Sequence, residues 1–339
     1  MKKSLFLIIF PMLLIGGLSG CATSENITRI DYLEPGKIIF PERVDHVAVL
    51  NNTPKEDEIN SSEILKYTNT KQADIFVSFV DELAKTGYYG QITIADRKWK
   101  NPLGQPIDLN TFQEMEEAIK SDIIIALGVL NPKDLDIQVE SDEFIANSLV
   151  SVEPVFQLYN PKTKKSIFYQ PKDTIDLFDS LLSYALAPQT SERDRNNQKE
   201  MESSSIIGKQ LATHFAPHWK TVERIVFTDY PLFEKSAKNI EINNLDEAII
   251  QNELIYTKNK KTNNKIKAAN NLAYLYELKD QLNTAHEWSN IALELANNLY
   301  GLKQPHNLLL SYVQSYNTTL KKRIEAMNIL NQQLSKFEY

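Results

Sequence analysis

The feature that most constrains this chain is a change of hydrophobic period at Tyr230-Pro231. Before it, short β-branched runs alternate with amphipathic stretches. After it, apolar residues recur only at helical spacing, and the stretch 232–339 holds one glycine, Gly301, and one proline, Pro305. A sheet needs turn residues every few positions, so this stretch is expected to be all α. Two periods in one chain imply two domains. The expected fold class is therefore an α/β domain with a mixed sheet and flanking helices, over 31–222, followed by an all-α helical-repeat domain over 232–339. Residues 1–20 read as a signal peptide and 21–30 as a tether.

The leader carries its own chemistry. Lys2 and Lys3 precede an apolar run from Leu5 to Leu18, which ends at Leu18-Ser19-Gly20-Cys21. The run is shorter than the ~20 residues a helix needs to cross a ~30 Å bilayer core, and it suits a signal-peptide apolar region. The segment Leu18, Ser19, Gly20, Cys21 resembles the bacterial lipobox. That resemblance implies cleavage after Gly20 and lipidation of the Cys21 thiol, with acyl chains such as palmitate holding the protein at a membrane. Two acyl chains anchor stably where one does not. Ala22 stands where inner-membrane retention has Asp, so the resemblance implies an outer-membrane lipoprotein. Glu25 alone is acidic just after the cysteine, which favours the periplasmic face.

Composition excludes several functions. Without Lys2 and Lys3 the chain has 35 basic against 44 acidic residues, a balance of −9. Nucleic-acid partners, which need clustered Lys and Arg, are not expected. Cys21 is the only cysteine, so the mature chain has no thiol for a disulfide, a thiolate metal site or a nucleophile. Ten glycines are few for nucleotide-cradling loops, and no cofactor is expected. The common nucleophile motifs are missing, so no catalytic residue is assigned. His214 and His218 stand four apart, but Pro217 between them breaks the helix that would aim both at one metal, so no metal site is expected.

Within the first domain, Val44–Leu50 reads as a central strand closed by Asn51-Asn52-Thr53-Pro54, and Lys55–Asn60 as a loop. From Asp74, apolar residues at helical spacing predict a helix ending at Gly87. Ile92–Ala95 is a strand, Arg97–Asn110 a loop, Thr111–Lys120 a short helix, and Asp122–Gly128 a buried strand. Leu149–Tyr159 and Ser166–Tyr169 are expected to pair across the turn Asn160–Thr163, with Asp173–Phe178 continuing that hairpin. The polar run Gln189–Ser204 reads as an exposed loop before a helix over Ser205–Phe215.

The order VAVLN, helix, ITIAD, helix, DIIIALG and a hairpin at YNPKT resembles the α/β domain of curli-secretion lipoproteins, penicillin-binding-protein activator lipoproteins and TolB-like periplasmic proteins. The runs PGKIIFPERVDHVAVLNN, FAPHWKTVERIVF and LKKRIEAMNIL resemble an uncharacterised family of bacterial lipoproteins with C-terminal helical repeats. These resemblances imply assembly and adaptor roles rather than enzymes.

In the second domain, Asn243–Ala248 aligns with Asp280–Ala285 at a spacing of 37, near the 34 of a tetratricopeptide repeat. Counting back from Ala285 places Lys267 and Asn271 in the groove of such a repeat, with Tyr274 as a groove contact and Tyr276 as a packing contact. The reading is a non-enzymatic envelope scaffold that binds an unidentified envelope protein through these repeats. The alternatives are a small-ligand binder with a pocket at the strand C-termini and an envelope hydrolase. Asp173-Thr174-Ile175 and Asp179-Ser180-Leu181 also match an O-glycosylation pattern of some envelopes, at Thr174 and Ser180.

Overall fold

The computed structural model describes residues 25–53, 63–101, 105–128, 149–176 and 192–337. The leader, Cys21, the run Lys55–Asn60 and Ser180 lie outside them. The first half of the chain holds mixed sheet with helices, and the last third is a run of helices. Two compact units result: Leu33–Trp219 with Ile329–Tyr339, and residues up to Tyr32 with Lys220–Asn328. The β1 strand (Glu25–Glu34) replaces most of the expected tether, and pairs with β9 (His218–Phe227) in a two-stranded ribbon.

The sheet unit is built on β2 (His46–Asn51), β3 (Gln91–Ile94), β4 (Ile123–Leu127), β6 (Phe156–Asn160) and β7 (Lys165–Tyr169), in the order β3-β2-β4-β6-β7. The first three strands are parallel; β6 and β7 add antiparallel. Because successive side chains point to opposite faces, Val47, Val49, Ile125 and Leu127 join one core while Ala48, Leu50, Ile124 and Ala126 join another. Sequence runs this apolar arise where both faces of a strand are covered.

The first face is covered by α1 (Glu63–Thr86) and α3 (Glu192–Ala212), through Ile75, Phe79 and Leu83 on one and Ile207 and Leu211 on the other. Gly208 brings these helices together: a Cβ there would sit 2.5 Å from the Ile75 carbonyl oxygen and 2.6 Å from Ser78 Cβ. The second face is covered by α2 (Leu109–Ile119). Asp108 caps α2, its carboxylate accepting from Thr111 N at 2.9 Å, and Phe112 stacks on Tyr159 at 4.9 Å between ring centroids.

Three expectations are corrected here. The helix predicted from Asp74 begins at Glu63. The loop expected over Gln189–Ser204 is instead helix from Glu192, because Arg, Gln, Lys, Glu and Met are good helix formers and no Gly or Pro interrupts them. The expected strand Leu149–Tyr159 is split by Pro154 into β5 (Leu149–Val152) and β6. The β5 strand pairs with β8 (Asp173–Asp176), which therefore does not continue the β6–β7 hairpin.

The helical unit contains α4 (Glu234–Glu241), α5 (Leu245–Lys258), α6 (Thr262–Leu278), α7 (Leu282–Tyr300) and α8 (Leu308–Leu334), the last as far as Asn328. The inner helix is α6, with Ala268, Ala269, Leu272, Ala273 and Leu275 all buried. Its small residues let α5 and α7 approach closely, and its flank carries the ribbon, Ile30 and Val226 packing on Leu272 and Leu275.

Candidate functional site

A pocket of about 230 Å³ opens at the carboxyl ends of the parallel strands, where open α/β sheets bind ligands. It is lined by Asn52, Pro106, Ala126, Gly128, Val155, Gln157 and Phe168. Register explains why three of these meet: Ala126 pairs with Gln157, and Gln157 with Phe168, so they form one row across β4, β6 and β7 on the α2 side of the sheet. The helix covers Tyr159 but leaves β7 bare, and Phe168 is 58% exposed.

The two amides in this lining hold the protein's own loop. Gln157 accepts from Ile107 N at 2.8 Å and donates to Ile107 O at 2.9 Å and to Ser166 Oγ at 3.0 Å. Asn52 donates to Gln105 O at 2.9 Å and accepts from Asn101 N at 2.8 Å. Both amides thus hold the wall around Pro106 in place. Nearby, burial and Glu116 push the Tyr159 hydroxyl up to about 12, so it stays protonated and donates to Glu116 Oε2 at 2.9 Å. A lone Gln inside the apolar run VFQLYN was the sequence signal that could have found this row; the sequence reading did not use it.

His214 lies elsewhere in this unit, fully enclosed. Its Nε2 bonds Asp173, and its Nδ1 lies 2.6 Å from the Tyr169 hydroxyl. Lys37 Nζ donates to the other Asp173 oxygen at 2.8 Å. Burial raises the Asp173 pKa, but the bonds from His214 and Lys37 outweigh it and hold the carboxyl below its ordinary range. His218 turns away, with Nε2 3.6 Å from Glu34. This set ties β7, β8, the end of α3 and the segment around Lys37 together. It also accounts for Asp173 in the sequence pattern before Thr174, which is itself exposed.

The helical-unit residues expected to meet a partner are brought together, but they do not line an open groove. Asn271 is buried, accepting from Phe227 N at 2.9 Å and donating to Phe227 O at 2.8 Å. Lys267 pairs with Asp229 at 2.8 Å, and Tyr274 is buried among Ile30 and Val226. Strand β9 lies on that face of α6, its outer edge held by Asn271 at Phe227 and by Tyr312 and Asn270 at Ile225. Sequence alone could not reveal that a distant strand fills the position of a ligand.

The fold and pocket define an α/β protein with an apolar, sheet-edge pocket, joined to a helical unit. Residues 44–227, more than half of the chain, match the family described as Domain of unknown function (DUF8603). The chain belongs to that family. Residues 234–322 match a second description, Domain of unknown function (DUF6340). No curated protein and no solved structure matches the chain.

Proposed function

We propose that this is a lipid-anchored outer-membrane lipoprotein of the periplasmic face that binds a partner protein, with recognition carried by the sheet unit and the helical unit serving as its scaffold. The observation that carries the reading is the pocket beside β7. Its volume is below the ~300–1,000 Å³ typical of drug-sized ligand sites, which suits one apolar side chain of a partner. Among the described residues β7 is an outer strand, the one beside the pocket, with Ile167 and Phe168 exposed, so an extended segment could add along it while a side chain enters the pocket. The described lining carries no charged or nucleophilic side chain, which favours binding over hydrolysis.

Anchoring through Cys21 is supported by the order of basic, apolar and small residues before it. Among the described residues no helix is long and apolar enough to cross a membrane. A tetratricopeptide-like arrangement is supported by equivalences at the 37-residue spacing. Asn243 and Asp280 adopt φ of 57° and 56°, Asn244 and Gln281 N–H groups bond Asn239 and Tyr276 carbonyls, and Ala248 and Ala285 are both fully buried. The resemblance to envelope assembly lipoproteins agrees with a scaffold.

A photo-crosslinking residue at Phe168, in the full chain in intact cells, tests the reading. Adducts with one envelope protein from position 168, and none from the exposed helical position Ile250, are expected. Adducts from Ile250 alone would refute it. Separately, Cys21→Ser should move the protein out of the membrane fraction.

A further inference from the structure

The helical unit has two chemically different ends. The α5–α6 link (259–261) and the α7–α8 link (301–307) fall at the same end, because the Tyr300 hydroxyl at the close of α7 donates to Asn263 Oδ1 in the first turn of α6, at 2.9 Å. Here Lys258, Lys260, Lys261 and Lys303 are exposed, and none of them ion-pairs with a described acid. Leu302 and Leu308 are 103% and 86% exposed in the same place. At the opposite end the charges are mixed and mostly paired: Lys279 pairs with Asp246 at 2.6 Å and Arg323 with Asp280 at 3.3 Å, and Glu241, Lys321, Lys322 and Glu325 are exposed.

The chain enters the unit from the lysine end. The β1 strand runs antiparallel to β9, since Thr28 bonds Arg224 O and Asp31 accepts from Thr221 Oγ1, which brings Glu25 opposite Phe227. Asn271 of α6 holds Phe227, and Lys267, one turn nearer the start of α6, holds Asp229. From Asn271 to Thr262 the helix rises ~13 Å. The four residues from Glu25 back to Cys21 can span ~14 Å. A fully extended stretch of that length is long enough to bring an acylated Cys21 to the level of the lysines.

We propose that this end of the helical unit docks on an anionic lipid bilayer, with the four lysines on the headgroups and Leu302 and Leu308 below them. The placement of Cys21 rests on the anchoring reading given above; the lysine and leucine cluster does not. Three physical arguments agree. Juxtamembrane lysines are attracted to anionic leaflets. An acyl chain and a polybasic patch reinforce one another. Two leucines left in water at a loop tip gain burial in the same contact.

The test uses the full mature lipoprotein with Leu302→Cys, whose new thiol is the only free one once Cys21 is acylated, labelled with an environment-sensitive fluorophore. In vesicles with about 30% anionic lipid the probe should shift to the blue, and the shift should vanish in neutral vesicles and at about 0.5 M salt. A probe at Asn283→Cys, at the other end, should not respond. Lys258→Glu with Lys260→Glu and Lys261→Glu should abolish the shift while the circular dichroism is unchanged; if that variant misfolds, Lys303→Glu and the salt series serve in its place. Protein that floats with anionic vesicles but leaves the 302 probe unshifted would overturn the proposal. So would a shift in neutral vesicles that needs an added acidic protein. Mass spectrometry of Cys21 tests the anchor separately: if Cys21 is not acylated, labelling proceeds with that thiol replaced by Ser, and a probe shift with added anionic vesicles still supports docking while the anchoring reading fails.

Discussion

Glu277→Gln should be the most destabilising conservative substitution in the helical unit. Glu277 is 1% exposed and accepts four hydrogen bonds. Arg224 supplies two, from Nε and Nη2 at 2.9 Å; Arg323 Nη1 and the Tyr316 hydroxyl supply one each at 2.7 Å. Burial raises the Glu277 pKa, but Arg224 above all, with Tyr316 and Arg323, holds it below the ordinary carboxylate range. Replacing it with an amide removes the buried negative charge between two buried guanidinium groups and turns an NH₂ toward donors. Removing one partner of such a pair costs about 3–5 kcal/mol, because the remaining charge stays buried. For a unit of this size that corresponds to a fall in Tm of roughly 10–20 °C. Urea unfolding of the mature chain, followed by the helical circular dichroism signal, measures the loss. The triple change Arg224→Met, Glu277→Leu, Arg323→Met should recover most of it, since apolar replacement of a whole buried ionic set is often neutral or stabilising. A cost below about 1 kcal/mol for Glu277→Gln would refute this reasoning.

Gly208→Ala, which would gain about 1 kcal/mol in an exposed helix, should instead cost about 1–3 kcal/mol, because its Cβ meets the α1 backbone; a rise in Tm would show that α1 and α3 are not in close contact. Asn271→Ala should leave Phe227 N–H and C=O unpaired at about 1–3 kcal/mol each, read as faster hydrogen exchange at the Phe227 amide and a lower Tm. Asp173 and Glu277 both have folded pKa values below their ordinary ones. Each therefore contributes stability that is complete above the ordinary carboxylate range and is lost as pH falls through the folded value. Tm should fall as pH drops below the ordinary carboxylate range, and Asp173→Asn should flatten the part of that fall due to the sheet unit; an unchanged profile in the variant would contradict the His214–Asp173–Lys37 linkage.

What the sequence made legible, and what it hid, follows from the range of the interactions. Val47–Leu50 and Ile123–Leu127 declare themselves because a strand covered on both faces must be apolar at every position. Asn160–Thr163 declares a hairpin because its turn chemistry is local. The 37-residue spacing between Ala248 and Ala285 is equally local, each alanine answering to its own helix pair. The polar start of α3 fails that test, since good helix formers keep a helix there despite low hydrophobicity. The expected partner groove was hidden for a different reason. Lys267, Asn271 and Tyr274 sit on the face of α6 where a ligand would be expected, and Asn271 does hold an extended backbone there while Lys267 holds the Asp229 side chain. That backbone is Phe227–Asp229 of the same chain, tied in by Arg224 on Glu277 as well as by Asn271. A residue pattern specifies the chemistry of a binding face, but whether the occupant arrives from another molecule or from forty residues upstream is decided by tertiary pairing. Displacing β9 would expose the Arg224–Glu277 pair and both Phe227 backbone groups together, so a partner is better accommodated at Phe168, where the chain leaves an apolar surface bare, than on α6, where its own strand has already satisfied the amides.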